Sequence, residues 1–185
     1  MGQSTEHMWR GLCLAMSLVI SFCAIAQADL RLPGSLVTQA GKPFQSTDTK
    51  DTPVALFFGF TNCPDVCPTT LLDMSSDLAA LGEKADAIKM IFVTVDPERD
   101  TPEVLQEYLA SFDPRITALT GPIDSIRALA RAYGASFRKV SLDNGYTMEH
   151  SPAVFLIGRD GEVHGIINYG EDPRARTQKL LELLQ

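Results

Sequence analysis

The stretch FFGFTNCPDVCPTT, Phe57 to Thr70, ends an apolar run and leads into a tight Pro-Asp-Val turn flanked by Cys63 and Cys67. The run Val54 to Phe60 is short, aromatic and without alternation, which predicts a strand covered on both faces rather than a helix. Pro68 suits the first position of a helix. That helix is predicted to turn Leu71, Leu72, Met74, Leu78 and Leu81 inward and to stop at Gly82. The two cysteines then sit at the end of a buried strand and just before a helix, where unpaired backbone amides and the helix dipole favour thiolate over thiol.

A four-residue step in a helical turn separates Cα atoms by about 6 Å, and a disulfide accepts roughly 4.4 to 6.8 Å. The pair can therefore close, or open and chelate a soft metal. As an inert staple it would contribute little, since a loop of five residues removes about 2 kcal/mol of chain entropy against about 3 for fifteen. A functional pair is the better reading of so short a loop.

Working outward, Cys13 and Cys23 lie in the apolar run Gly11 to Ala26, which follows Arg10 and ends in Ala26-Gln27-Ala28. This is the pattern of a signal peptide over residues 1–28, cut before Asp29. The run is shorter than the ~20 residues that span a bilayer, so cleavage is preferred, with retention as a membrane anchor the alternative. Bulky Phe22 speaks against a lipoprotein site at Cys23. Residues 29–185 then form one exported domain, periplasmic or otherwise extracytoplasmic, whose only thiols are Cys63 and Cys67 and whose compartment permits a disulfide. With 185 residues, 45% of them hydrophobic, the chain can bury one core and not two. The net charge of −7 is unchanged by cleavage, because the segment holds one base, Arg10, and one acid, Glu6. No basic block is present, which excludes nucleic acid as an expected partner and favours cationic ones.

Asp29 to Thr52 is polar and punctuated by Pro33, Gly34, Gly41 and Pro43, consistent with a hairpin over one edge of the domain. After the cysteine helix, Ile88 to Val95 is a second buried strand, and strand–helix–strand at this spacing is a parallel βαβ unit. Asp100 or Thr101 can cap a helix with Pro102 in its first turn and Val104, Leu105, Tyr108, Leu109 and Phe112 inside. A third helix is expected from near Pro122, burying Ile123, Ile126, Ala130 and Tyr133 and ending at Gly134. Ser136 to Val140 and Tyr146 to Met148 flank an Asp143-Asn144-Gly145 turn and read as a hairpin. Ala153 to Ile157 and the alternating Glu162 to Asn168 read as antiparallel strands, and Pro173 opens a last helix. The expected fold is α/β and thioredoxin-like: a βαβ unit and a ββα unit with an added hairpin, the cysteine loop following the first buried strand.

Three blocks together, FGFTNCPDVCP from Phe58, VTVDPERDTPEVLQEYLASFDPRITALTG from Val93 and YTMEHS ending at Ser151, resemble the Sco/SenC family of exported copper proteins associated with cytochrome c oxidase assembly. The resemblance runs from about Pro53 to the last helix. It implies a thioredoxin-like domain that binds one copper ion through Cys63, Cys67 and His150, with the copper-bearing subunit of cytochrome c oxidase as partner, along with other copper chaperones or thiol reductants. The family often has His where Asn62 stands and Asp where Glu149 stands; neither is a family ligand, so these departures bear on tuning. Ser151-Pro152 resembles the cis-proline that thioredoxins set opposite their cysteines, which keeps a redox reading in play.

The chemistry of the residues agrees with that ligand set. Copper(I) prefers thiolates and accepts imidazole, whereas structural zinc normally takes four protein ligands and no further cysteine is available. His164, on the alternating return strand, is expected to be structural, and His7 falls in the discarded segment. Asp96, at the end of the second strand, is either a turn residue ahead of Pro97 or a carboxylate in the outer shell of the metal. Met148 is expected to pack rather than ligate, and Glu98, Arg99 and Asp100 to form a solvated face with capping roles. Two function classes follow: a metallochaperone whose disulfide gates copper capture, with no catalytic residues, or a thiol-disulfide oxidoreductase that reduces target cysteines before copper loading. Three residues between the cysteines, rather than two, and the presence of His150 favour the first. Nothing before Cys63 matches the Pro and Thr arrangement of peroxiredoxins.

Overall fold

The structure is a computed structural model and describes residues 35–185; the predicted signal peptide lies outside the described residues. The predicted first buried strand forms as β2, Val54–Gly59, with all six residues buried, after a short edge strand β1, Val37–Thr38. Helix α1, Val66–Leu81, and a turn of 3-10 helix lead to β3, Lys89–Thr94, which pairs in parallel with β2 from Val54↔Lys89 to Gly59↔Thr94. Helix α2, Pro102–Leu109, is capped by the Thr101 hydroxyl, which accepts from the Val104 amide. It returns the chain to β4, Ile116–Thr120, parallel to β3.

Strand β4 was not expected. Four of its five residues are buried, so it carries no alternation, and at five residues it is too short to stand out from the loops beside it. Helix α3, Ile123–Ala132, ends at Gly134, whose φ of 75° a residue with a side chain would resist. Strands β5, Phe137–Leu142, and β6, Gly145–His150, form a separate two-stranded sheet that is longer than predicted and reaches His150 itself. Strands β7, Val154–Ile157, and β8, Val163–Ile167, are antiparallel, and helix α4, Pro173–Leu183, closes the chain.

The main sheet runs β1-β4-β3-β2-β7-β8, with β7 antiparallel to β2. Within it β2-α1-β3 and β7-β8-α4 are the βαβ and ββα halves of a thioredoxin-like fold. The expected edge hairpin reduces to β1, which pairs antiparallel with β4 and bridges back from Val37 to Pro43. Leu71, Met74, Leu78 and Leu81 fall on one buried stripe of α1, but Leu72 is 56% exposed, since 100° per residue turns it off that stripe. Val104 and Ile123, also expected inside, are exposed at their helix starts, while Leu105, Leu109, Ile126, Leu129 and Ala130 are the residues these helices bury in the core. All described peptide bonds are trans, so Ser151-Pro152 does not follow the thioredoxin pattern. Across the far face, buried Arg176 of α4 ties to Asp77 and Asp73 of α1 at 3.1 to 3.2 Å.

Candidate metal centre

Strand β2 delivers the chain to the site and β7 brings it back. The pairing of Phe57 with Val154 puts the start of β7 beside the end of β2, so His150, four residues before Val154, arrives over the cysteine loop. The Sγ atoms of Cys63 and Cys67 and a ring nitrogen of His150 all lie within 4.8 Å of one another. Among the described residues no other group of three His, Cys, Asp or Glu side chains is so disposed.

Helix α1 starts two residues earlier than predicted, so Cys67 lies inside its first turn and Pro68 is its third residue, still among the positions whose amides have no partner within the helix. One of these amides, that of Cys67, donates to Cys63 Sγ at 3.4 Å. Cys67 is fully buried and Cys63 is partly exposed. Gly59 makes room for the buried sulfur: a Cβ there would lie 2.9 Å from Cys67 Sγ and 2.7 Å from the Phe92 ring.

The expected bias toward thiolate does not hold at Cys67. Burial pushes its thiol pKa far above the ordinary value, and the neighbouring Cys63 and Asp100 charges push the same way, against a weaker backbone hydrogen bond at Phe60. A thiolate at this position therefore requires a compensating cation.

His150 is held ready for one. Its Nδ1 lies 3.1 Å from the Ser151 carbonyl oxygen, which can only accept, so Nδ1 carries the proton and Nε2 presents its lone pair to Cys67 Sγ at 3.4 Å. Burial lowers the His150 pKa and keeps the ring neutral, outweighing the Ser151 hydrogen bond. Phe57 and Phe60 meet the imidazole edge-on, each with ring centroids 5.9 Å away.

The remaining expectations divide. Met148 is buried and packed, and His164 is exposed and paired with Asp160, as anticipated. Asp96 is buried at the end of β3, but its carboxylate is taken by Arg99 Nε and by the Tyr146 hydroxyl at 2.9 Å rather than by the cysteines or His150. Asp100, expected to be solvated, has no exposure and organises the entry to the cysteine loop. It accepts from the Thr61 amide at 3.0 Å, the Thr61 hydroxyl at 2.6 Å and the Thr94 hydroxyl at 2.5 Å. The Tyr108 hydroxyl is also buried, without a hydrogen-bond partner; burial and the cysteines' charge push its pKa up. Asp100 was missed because a carboxylate in a charged run carries no sequence mark of burial, whereas Tyr108 packs against the core on the inner face of α2 as expected.

Two thiols and a neutral imidazole converging at the strand end of a thioredoxin-like domain define a protein that handles a soft metal or exchanges disulfides at that point. Residues 24–185 match the SCO1/SenC family, and the chain belongs to it. It is 35% identical over 158 residues to the mitochondrial protein SCO2 of Saccharomyces cerevisiae, covering 83% of this chain and 52% of that one. It thus spans about half the length of that relative. The copper-bound structure of ScoI from Bradyrhizobium japonicum superposes with a TM-score of 0.75 at 39% identity, covering 82% of this chain and 97% of that one. Copper-bound yeast Sco1 gives 0.72 at 30% identity, covering 81% and 85%.

Proposed function

We propose that this protein is an exported metallochaperone that binds one copper ion through Cys63, Cys67 and His150 and delivers it to the copper-bearing subunit of cytochrome c oxidase. The observation that carries the reading is the convergence of the three donor atoms within 4.8 Å. The donor set suits a soft monovalent ion, the Ser151 carbonyl leaves Nε2 free to ligate, and the cation answers the charge that burial denies to Cys67. Relatives of the same family carry copper in structures covering nearly the whole of this domain.

The cysteine pair would gate capture. Closing the disulfide removes two electrons and two protons from the thiols and with them two ligands; a thiol reductant returns both and reopens the site. Residues 1–28 would direct export to the periplasm or another extracytoplasmic compartment, and either leave or anchor the domain. No helix among the described residues is long and apolar enough to cross a membrane. The alternative, a thiol-disulfide oxidoreductase acting on the oxidase's cysteines, draws on the contrast between a partly exposed Cys63 and a buried Cys67.

Reduced protein should take up one copper per chain and the disulfide form almost none. Uptake should raise stability by about 2.7 kcal/mol when free copper is a hundredfold above the dissociation constant. Titration of both forms with Cu(I), followed by thermal melting, checks this; equal uptake by the two forms would overturn the gating.

A further inference from the structure

Arg99 sits in a run that reads from sequence as solvated surface, yet it bridges the two segments that carry the site. Its Nε pairs with Asp96, its Nη1 donates to the Tyr146 carbonyl at 3.2 Å, and its guanidinium carbon lies 3.9 Å from the centroid of the Tyr146 ring and 5.9 Å from that of Phe60. Nη2 is buried without a hydrogen-bond acceptor, so on that side of the guanidinium the Tyr146 and Phe60 rings supplement the charge balance that Asp96 provides at Nε. The Tyr146 hydroxyl donates to the same Asp96 carboxylate, and Lys139 Nζ stands 3.8 Å from the Tyr146 ring centroid while pairing with Glu98.

These contacts bear on His150 because of how its strand is held. The β5–β6 hairpin shares no backbone ladder with the six-stranded sheet, so the β2–β7 pairing brings its last residue to the cysteine loop without fixing how the hairpin is oriented there. Tyr146 is four residues before His150 on β6, and Phe60, three residues before Cys63, meets the imidazole edge-on. Arg99 thus touches the hairpin through a carbonyl and a ring, the cysteine loop through Phe60, and the turn after β3 through Asp96. It touches no ligand.

We propose that Arg99 is a positioning residue: it clasps the hairpin to the turn after β3 and to Phe60, and so holds the Nε2 lone pair of His150 over the cysteine sulfurs. The clasp needs a planar group that stacks and donates in two directions at once, which lysine lacks. The proposal rests on the reading of Cys63, Cys67 and His150 as copper ligands, and its test separates the two.

The experiment measures Cu(I) affinity of the reduced full chain, by competition with a chromophoric chelator, for the wild type, Arg99→Met, His150→Ala and the double variant. Arg99→Met should weaken binding about 10- to 100-fold, as loss of an outer-shell support does. In the His150→Ala background the same change should cost almost nothing further, because the residue through which Arg99 acts is gone. In the metal-free protein, ring nitrogen resonances of His150 should report one tautomer in the wild type and an average of two in Arg99→Met. If Arg99→Met does not fold, Tyr146→Leu, which keeps the Arg99–Asp96 pair, should give the same pattern. An equal loss in both backgrounds, or unchanged affinity with an unchanged ring, overturns the clasp. If His150→Ala alone leaves affinity intact, the ligand reading fails instead.

Discussion

His150→Ala is expected to weaken Cu(I) binding more than 100-fold, beyond the range of about 10 to 100 typical of outer-shell losses, because it removes the only nitrogen donor of the site. The variant should still fold. The ring is only partly buried, and its edge contacts with Phe57 and Phe60 are worth about 0.5 to 1.5 kcal/mol each, a fall of several degrees in melting temperature for a domain of this size. Cys63 and Cys67 keep their positions on the loop and on α1 and should close a disulfide as before. The variant therefore separates the two function classes. Loss of copper binding together with loss of oxidase activity in the host supports delivery. If oxidase activity survives after copper binding is lost, and a cysteine-bearing oxidase fragment is still reduced, the oxidoreductase reading replaces it.

The largest effect on stability is expected at Asp100. Its two carboxylate oxygens take three donors, and Asp100→Ala would strand the Thr61 amide and the fully buried Thr94 hydroxyl, while the Thr61 hydroxyl keeps Asn62 Oδ1 at 3.2 Å. A buried polar group left unpaired costs about 1 to 3 kcal/mol, and with two such groups a loss of roughly 2 to 5 kcal/mol is predicted. Thr61 begins the cysteine loop and Thr94 ends β3, so the loop should also loosen where it leaves the sheet. Asp100→Asn should cost less. An amide oxygen can still accept from the Thr61 amide and the Thr94 hydroxyl, and its NH2 can donate to the Thr61 hydroxyl once that group turns. Chemical denaturation of the three proteins measures the order; an Asp100→Ala variant as stable as the wild type would show that Asp100 does not organise the loop.

Much of the fold was legible because the buried parallel strands announce themselves as unbroken apolar runs. Val54 to Phe60 and Ile88 to Val95 could be placed from composition alone, and Gly82 and Gly134 mark helix ends through the positive φ they adopt. Strand β4 was hidden by its brevity. Leu72, Val104 and Ile123 were drawn into the expected core, because an apolar residue one position off the buried stripe, or in the first turn of a helix, looks the same in sequence as one on the stripe. At the site, the three ligand candidates came from residue type and resemblance. Their surroundings did not: the Asp100 cradle joins residues 39 apart, and the Arg99–Tyr146 contact joins residues 47 apart. Charged residues in a run such as Pro97-Glu98-Arg99-Asp100 are solvated unless the fold supplies partners from elsewhere, and sequence does not show those partners. The same limit explains Cys67, where a helix terminus suggested a thiolate and complete burial outweighs it.

Two sulfurs and one imidazole nitrogen are proposed to hold the metal. X-ray absorption at the copper edge of the reduced full chain loaded with one Cu(I) tests it most directly. A first shell of two sulfur scatterers and one nitrogen with the outer-shell pattern of an imidazole is expected, the nitrogen disappearing in His150→Ala. A first shell of sulfur alone in the wild type, or one of nitrogen and oxygen without sulfur, would contradict it.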